Sequence, residues 1–129
     1  MTQTGAIRIL IVDDHEIIRR GLKMRLNIEP DMSVVGEADD GDTALEQAML
    51  LQPDIILMDV LMPKMSGITA THRMTQISPS SAIILLSLSD EDRMRRMAMD
   101  AGASAFLTKH SQTDPLIHTV RQLILDRCY

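Results

Sequence analysis

The chain has 129 residues, 45% of them hydrophobic and 24% charged, with 18 acidic against 13 basic side chains and a net charge of −5. That length supports one domain, spanning 1–129 and burying about two-thirds of its unfolded surface, and the composition excludes a disordered chain. The negative charge, and aromatic residues limited to Phe106 and Tyr129, exclude an autonomous grip on nucleic acid.

Ile7–Val12 is the first short apolar run and reads as a strand; after Asp13-Asp14, Ile18, Leu22 and Leu26 fall at helical spacing. A second run, 34–38, is followed by the turn signal Asp39-Asp40-Gly41-Asp42 and by Leu45, Ala48 and Leu51, again helical. The third run is 55–58, after which Pro63 and Pro79 bracket a less cleanly periodic segment of helical length, 68–77. The fourth, 82–86, precedes Met94, Met97, Ala98 and Ala101, a helical series that stops at Gly102. The fifth, 105–107, precedes a helix that starts at Thr113-Asp114-Pro115 and continues through Leu116, Val120, Leu123 and Ile124. Alternating βα units of this kind predict an α/β fold, a doubly wound parallel sheet with crossover helices. No apolar run is long enough to span a membrane, and 1–6 lacks the pattern of a secretory signal, so no membrane partner and a cytoplasmic location are expected. Cys128 reads as an incidental thiol near the chain end. The eleven methionines are expected to fill core space that rings usually occupy.

In open sheets of this kind ligands bind beyond the carboxyl ends of the strands, at the crevice where strand order reverses. The residues that follow the runs are Asp13 and Asp14, then Asp59, Ser87, and Thr108 with Lys109. Carboxylates brought together repel one another and are relieved by a proton or a shared cation. Near neutral pH the better answer is a hard divalent cation with oxygen ligands, Mg²⁺ or Mn²⁺, in a shallow site that keeps places for water and phosphate oxygens. With that cation and Lys109 drawing off charge, one carboxylate can attack phosphorus, and Asp59, alone at the end of the central run, is best placed. Asp40 and Asp42 read as capping and turn residues, and Asp14 as both cap and ligand.

Taken in order, Ile11-Val12-Asp13-Asp14-His15, Pro53-Asp54-Ile55-Ile56-Leu57-Met58-Asp59, Met62-Pro63, Ser66-Gly67, Leu86-Ser87 and Phe106-Leu107-Thr108-Lys109 resemble the receiver domain of two-component response regulators over essentially the whole chain. Asp13-Asp14-His15 with Arg19 and Gly21-Leu22 is similar to the NarL/LuxR-type subfamily, whose members carry a helix-turn-helix output domain. The resemblance implies the CheY-like, flavodoxin-like (βα)5 fold with strand order 2-1-3-4-5. It implies that Asp59 accepts a phosphoryl group from the phosphohistidine of a sensor histidine kinase, that Asp13, Asp14, Asp59 and the backbone carbonyl of Leu61 hold Mg²⁺, and that Lys109 pairs with a phosphoryl oxygen. Ser87 then donates to another oxygen and draws its loop inward, letting Phe106 rotate into the vacated space. The surface over 90–109 is expected to change and to be read by a partner or by a second protomer in a homodimer. Such a module catalyses its own phosphorylation and slow dephosphorylation and is otherwise not an enzyme. Control of transcription is expected through a C-terminal DNA-binding domain outside this chain, which reads as an excised receiver ending where a linker begins in longer relatives.

Two departures from the family pattern stand out: His110 follows Lys109 where many receivers have proline, which argues against a cis bond, and Ser87 replaces the commoner threonine. His15 and His110 are not expected to ligate a hard cation, and His72 and His118 read as helix-surface residues. Leu61 is expected to line the path of an attacking water and to exclude it, with the Ser89 hydroxyl beside that path as partial compensation. Two rival readings are weaker. An aspartyl-phosphate hydrolase needs a second aspartate where Leu61 stands, and a nucleotide- or flavin-binding domain needs a glycine-rich loop where Asp13-Asp14-His15-Glu16 stands.

Overall fold

The computed structural model describes residues 5–89, 91–109 and 115–127. Along them, β1 (Ile7–Val12), β2 (Met32–Ala38), β3 (Ile55–Asp59), β4 (Ala82–Ser87) and β5 (Ala105–Thr108) alternate with α1 (Glu16–Ile28), α2 (Gly41–Leu51), α3 (Gly67–Ile77), α4 (Asp92–Ala101) and α5 (Pro115–Arg127). The strands pair in parallel in the order β2-β1-β3-β4-β5, as the sequence led us to expect.

The strands read as unbroken apolar runs because helices cover both faces of the sheet. Leu10, Val12, Ile56, Met58, Ile83 and Leu85 pack with Ala44, Ala48, Ala70, Met74 and Ala98 of α2, α3 and α4. Their neighbours Ile9, Ile11, Ile55, Leu57 and Ile84 meet Leu26 of α1 and Leu116, Ile117 and Val120 of α5. Each such buried aliphatic side chain contributes roughly 1.5–3 kcal/mol, enough in sum to carry a costly polar cluster at one edge.

Several local expectations are corrected. β2 begins at Met32 because that side chain is buried and its residue pairs with Ile7. Ile9 lies opposite Val34 and Leu10 opposite Gly36, so Val35 is an extra, bulged residue. A Cβ at Gly36 would stand 2.7 Å from Leu51 Cδ1, so a larger residue there would displace the end of that side chain. The methionines divide: Met32, Met58 and Met74 are core, Met62, Met65 and Met94 pack against it, and Met24, Met49, Met97 and Met99 are exposed. Met97 and Ile18, placed on apolar stripes by spacing, therefore face solvent. The expected stop at Gly102 holds, with φ 113 and its N–H donating to the Ala98 and Met99 carbonyls. Thr113, Asp114, His110 and Cys128, and with them the proposed start of the last helix, lie outside the described residues.

Candidate functional site

The strand order reverses between β1 and β3, and their carboxyl ends put Asp13 and Asp59 side by side at the switch point. Asp13 is 1% exposed; its N–H donates to the Ala38 carbonyl at 3.1 Å, and its own carbonyl accepts from Arg19 Nη1 at 2.7 Å. Asp59 is 5% exposed at the end of β3, and the Leu61 N–H donates to its Oδ1 at 3.2 Å. The chain then turns tightly: the Gly67 N–H reaches the Val60 carbonyl at 2.7 Å, and a Cβ on Gly67 would overlap the Asp59 backbone carbonyl. Glycine after Ser66 is thus what lets α3 start directly against the Asp59 backbone, with Ser66 capping it through Thr69 N.

The Lys109 N–H donates to the Ser87 carbonyl at 2.7 Å, which continues the β4–β5 pairing and brings the lysine to the same edge. Its ammonium, on a side chain 11% exposed, lies 2.9 Å from Asp13 Oδ2 and 3.2 Å from Asp59 Oδ2. Burial pushes the Asp59 carboxyl above its ordinary range; the Lys109 charge opposes this in part and the Asp13 charge adds to it. Burial pulls the lysine down, but its hydrogen bond to Asp13 and the two carboxylate charges outweigh that and raise it. Lys109, expected to pair with a phosphoryl oxygen, here also offsets part of the charge of two buried carboxylates.

Asp14 does not cap α1. The N-cap position belongs to His15, without a side-chain capping bond. The His15 N–H donates to Asp13 Oδ1 at 2.9 Å, and its Nδ1 stands 3.1 Å from that oxygen and 3.2 Å from Asp14 Oδ1. Asp14 Oδ1 is buried yet receives no hydrogen bond, the ring's 3.2 Å approach making none. An acceptor oxygen left so within a cluster of carboxylates fits a cation, which would supply the missing partner. Asp40, by contrast, is the N-cap of α2, accepting from Thr43 N at 2.8 Å, and Asp42 lies in that helix's first turn.

Ser87 is buried at the end of β4, with its hydroxyl donating to Met94 Sδ at 3.3 Å and accepting from Ser89 N at 3.1 Å. Phe106 is 3% exposed, and its ring belongs to the core facing α2, α3 and α4. Arg95 covers it, with the guanidinium carbon 5.0 Å from the ring centroid and Nη1 donating to the Phe106 carbonyl at 3.1 Å. Leu61, two residues beyond Asp59, is 63% exposed. Ser89 is half-buried nearby in sequence to Ser87, and His72 and His118 are on helix surfaces as expected. Arg19, His15, Met94 and Arg95 gain roles that the sequence reading did not give them. Their partners are a backbone carbonyl, a carboxylate, a hydroxyl and a ring, contacts that leave no spacing signal.

A family model for the response regulator receiver domain matches residues 9–121. The chain belongs to that family. Among curated relatives, it is 38% identical over 115 residues to the transcriptional regulatory protein DegU of Brevibacillus brevis, covering 89% of this chain and 49% of the relative. It is 40% identical over 116 residues to the transcriptional regulatory protein LiaR of Bacillus subtilis, covering 89% of this chain and 54% of that one. The chain therefore spans about half the length of such relatives. Among solved structures, a two-component response regulator of the LuxR family from an Aurantimonas species superposes with a TM-score of 0.90 at 30% identity, covering 95% of this chain and 87% of that one. The signal receiver domain of the response regulator NarL from Mycobacterium tuberculosis gives 0.83 at 32% identity, covering 95% and 96%. Receiver domains are signalling domains that bind Mg²⁺ at an acidic pocket, and in this chain Asp13, Asp14 and Asp59 form an acidic cluster. Among the described residues no helix is long and apolar enough to cross a membrane.

Proposed function

We propose that residues 1–129 form one receiver domain, in which Asp59 takes a phosphoryl group from the phosphohistidine of a sensor kinase and the change is passed to an output. The observation that carries this reading is the pairing of Asp59, buried and alone at the end of β3, with the Lys109 ammonium 3.2 Å away. An Asp59 oxygen attacks phosphorus, the phosphorus–nitrogen bond breaks, and the departing imidazole nitrogen takes up a proton. Asp13, Asp14, Asp59 and the Leu61 carbonyl would hold Mg²⁺, whose charge lets a phosphoryl group approach these carboxylates. Lys109 turns from the carboxylates to a phosphoryl oxygen. Ser87 exchanges its bond with Met94 Sδ for one to another phosphoryl oxygen, which moves its loop relative to α4. Phe106 and the Arg95 that covers it connect that movement to the face of α4 and β5. The family's position in two-component signalling supports a cytoplasmic setting, and the transcriptional relatives support a DNA-binding output outside this chain, with a homodimer as one way to deliver it.

Chelation is the direct test of the cation's part. Label from a small phosphodonor such as acetyl phosphate should appear with Mg²⁺ and fall to background when the metal is removed, whereas label of equal amount in chelator would contradict this reading.

The lifetime of the phosphoryl group is expected to depend on Leu61, which offers no hydrogen bond to a water in line with the phosphorus–oxygen bond. Leu61→Asn should shorten the lifetime roughly three- to tenfold, the effect of about one hydrogen bond in the transition state. Loss of the added mass with time after donor removal measures it, and an unchanged decay would assign the lifetime to other groups.

A further inference from the structure

The acidic pocket contains a nitrogen donor that oxygen-only ligation leaves unused. Asp13, Asp14, His15 and Asp59 each present one donor atom, and these atoms lie within 4.8 Å of one another. His15 Nδ1 is 3.1 Å from Asp13 Oδ1 and 3.2 Å from Asp14 Oδ1. Donors about 2.1 Å from an octahedral ion stand about 3.0 Å apart at adjacent corners and about 4.2 Å apart at opposite ones. The donors here thus stand within about an ångström of the separations a ligand set needs, the Nδ1–Asp13 Oδ1 approach being a hydrogen bond that holds the ring at the carboxylates. The imidazole is 61% exposed and its Nδ1 already faces the carboxylates, so closing on an ion requires no unpacking of the core. The backbone of the same residue is tied to Asp13 Oδ1, which fixes where the ring starts.

We infer that His15 is a ligand in this pocket and that it sets cation choice, giving the site a preference for borderline divalent ions such as Zn²⁺ beyond what its carboxylates alone provide. The inference rests on the reading of Asp13, Asp14 and Asp59 as a cation site. Imidazole nitrogen suits Zn²⁺ and its neighbours, whereas Mg²⁺ takes oxygen. One pocket thus has two modes, an oxygen-only mode for Mg²⁺ with the ring left in solvent and a mixed mode in which His15 Nδ1 closes on the ion beside Asp14. Any tight-binding carboxylate site prefers Zn²⁺ to Mg²⁺ to some degree, so the distinguishing property is dependence on His15.

Calorimetric titration of the metal-free protein with Mg²⁺ and separately with Zn²⁺, on the native chain, His15→Ala and Asp14→Asn, tests this at one fixed pH. His15→Ala should weaken Zn²⁺ binding about tenfold or more and leave Mg²⁺ within about twofold. Long-range proton–nitrogen spectra of the imidazoles should show the His15 ring nitrogen shifted by one equivalent of Zn²⁺. Unchanged Zn²⁺ affinity in His15→Ala, an equal loss for both ions, or a Zn²⁺ shift confined to His72, His110 or His118 would each overturn the inference; the equal loss would make His15 a positioning residue for Asp13. Retention of full Mg²⁺ affinity by Asp14→Asn would instead remove the underlying cation site.

Discussion

Asp59→Asn is expected to reduce phosphoryl incorporation to background while leaving the fold intact and slightly more stable. The amide keeps the shape of the carboxylate but is a poor nucleophile and a weaker metal ligand. The stability gain follows from the burial that raises the Asp59 carboxyl. Because the folded domain binds that proton more tightly than the unfolded chain does, stability falls as pH rises from the ordinary value of 3.8 through the raised one, and the penalty is complete above it. The asparagine variant lacks this penalty. In metal-free buffer at pH 7 it should be the more stable of the two, an advantage that disappears below the ordinary carboxyl range. Denaturation of both proteins at the two pH values measures the difference, and an asparagine variant less stable at neutral pH would show that the Lys109–Asp59 attraction outweighs burial.

Lys109→Ala should have a larger effect on the metal-free domain. It would leave Asp13 and Asp59, 1% and 5% exposed, facing each other with no cation between them, where the native ammonium is 2.9 and 3.2 Å away. Breaking a buried pair by removing one partner costs about 3–5 kcal/mol. The loss should be greatest at neutral pH, shrink as the carboxylates protonate in acid, and be partly recovered on adding Mg²⁺. The variant should still take up phosphoryl at Asp59, more slowly, yet fail to transmit it, because the group that turns to the phosphoryl oxygen is gone. Equal destabilisation at neutral and acid pH, with no response to Mg²⁺, would mean that the lysine acts through packing of its stem.

The apolar runs fixed the sheet because a parallel strand covered on both faces must be apolar throughout, and Ile7–Val12 and the run ending at Asp59 show this most plainly. The same rule put Asp13, Asp59, Ser87 and Lys109 at the carboxyl ends of strands, where the structure places all of them. Helix faces were less legible. Ala44 and Ala48 on α2 and Ala98 on α4 make contact that a hydrophobicity count assigns to methionine, so Met97 and Met99 read as core and stand in solvent. Side-chain partners were legible only where opposite charges demanded them. Nothing in spacing announces that Met94 accepts from Ser87, that Arg95 covers Phe106, or that His15 displaces Asp14 as the cap of α1.

The claim on which the account depends is that Asp59 is the phosphoacceptor. Intact mass before and after incubation with Mg²⁺ and acetyl phosphate, followed by proteolysis and sequencing of the modified peptide by mass spectrometry, measures it directly. The account predicts a gain of one phosphoryl group per chain, lost again in alkali as an acyl phosphate must be, and located on Asp59. No gain, or a gain that survives alkali or maps to a serine, threonine or histidine, would contradict it.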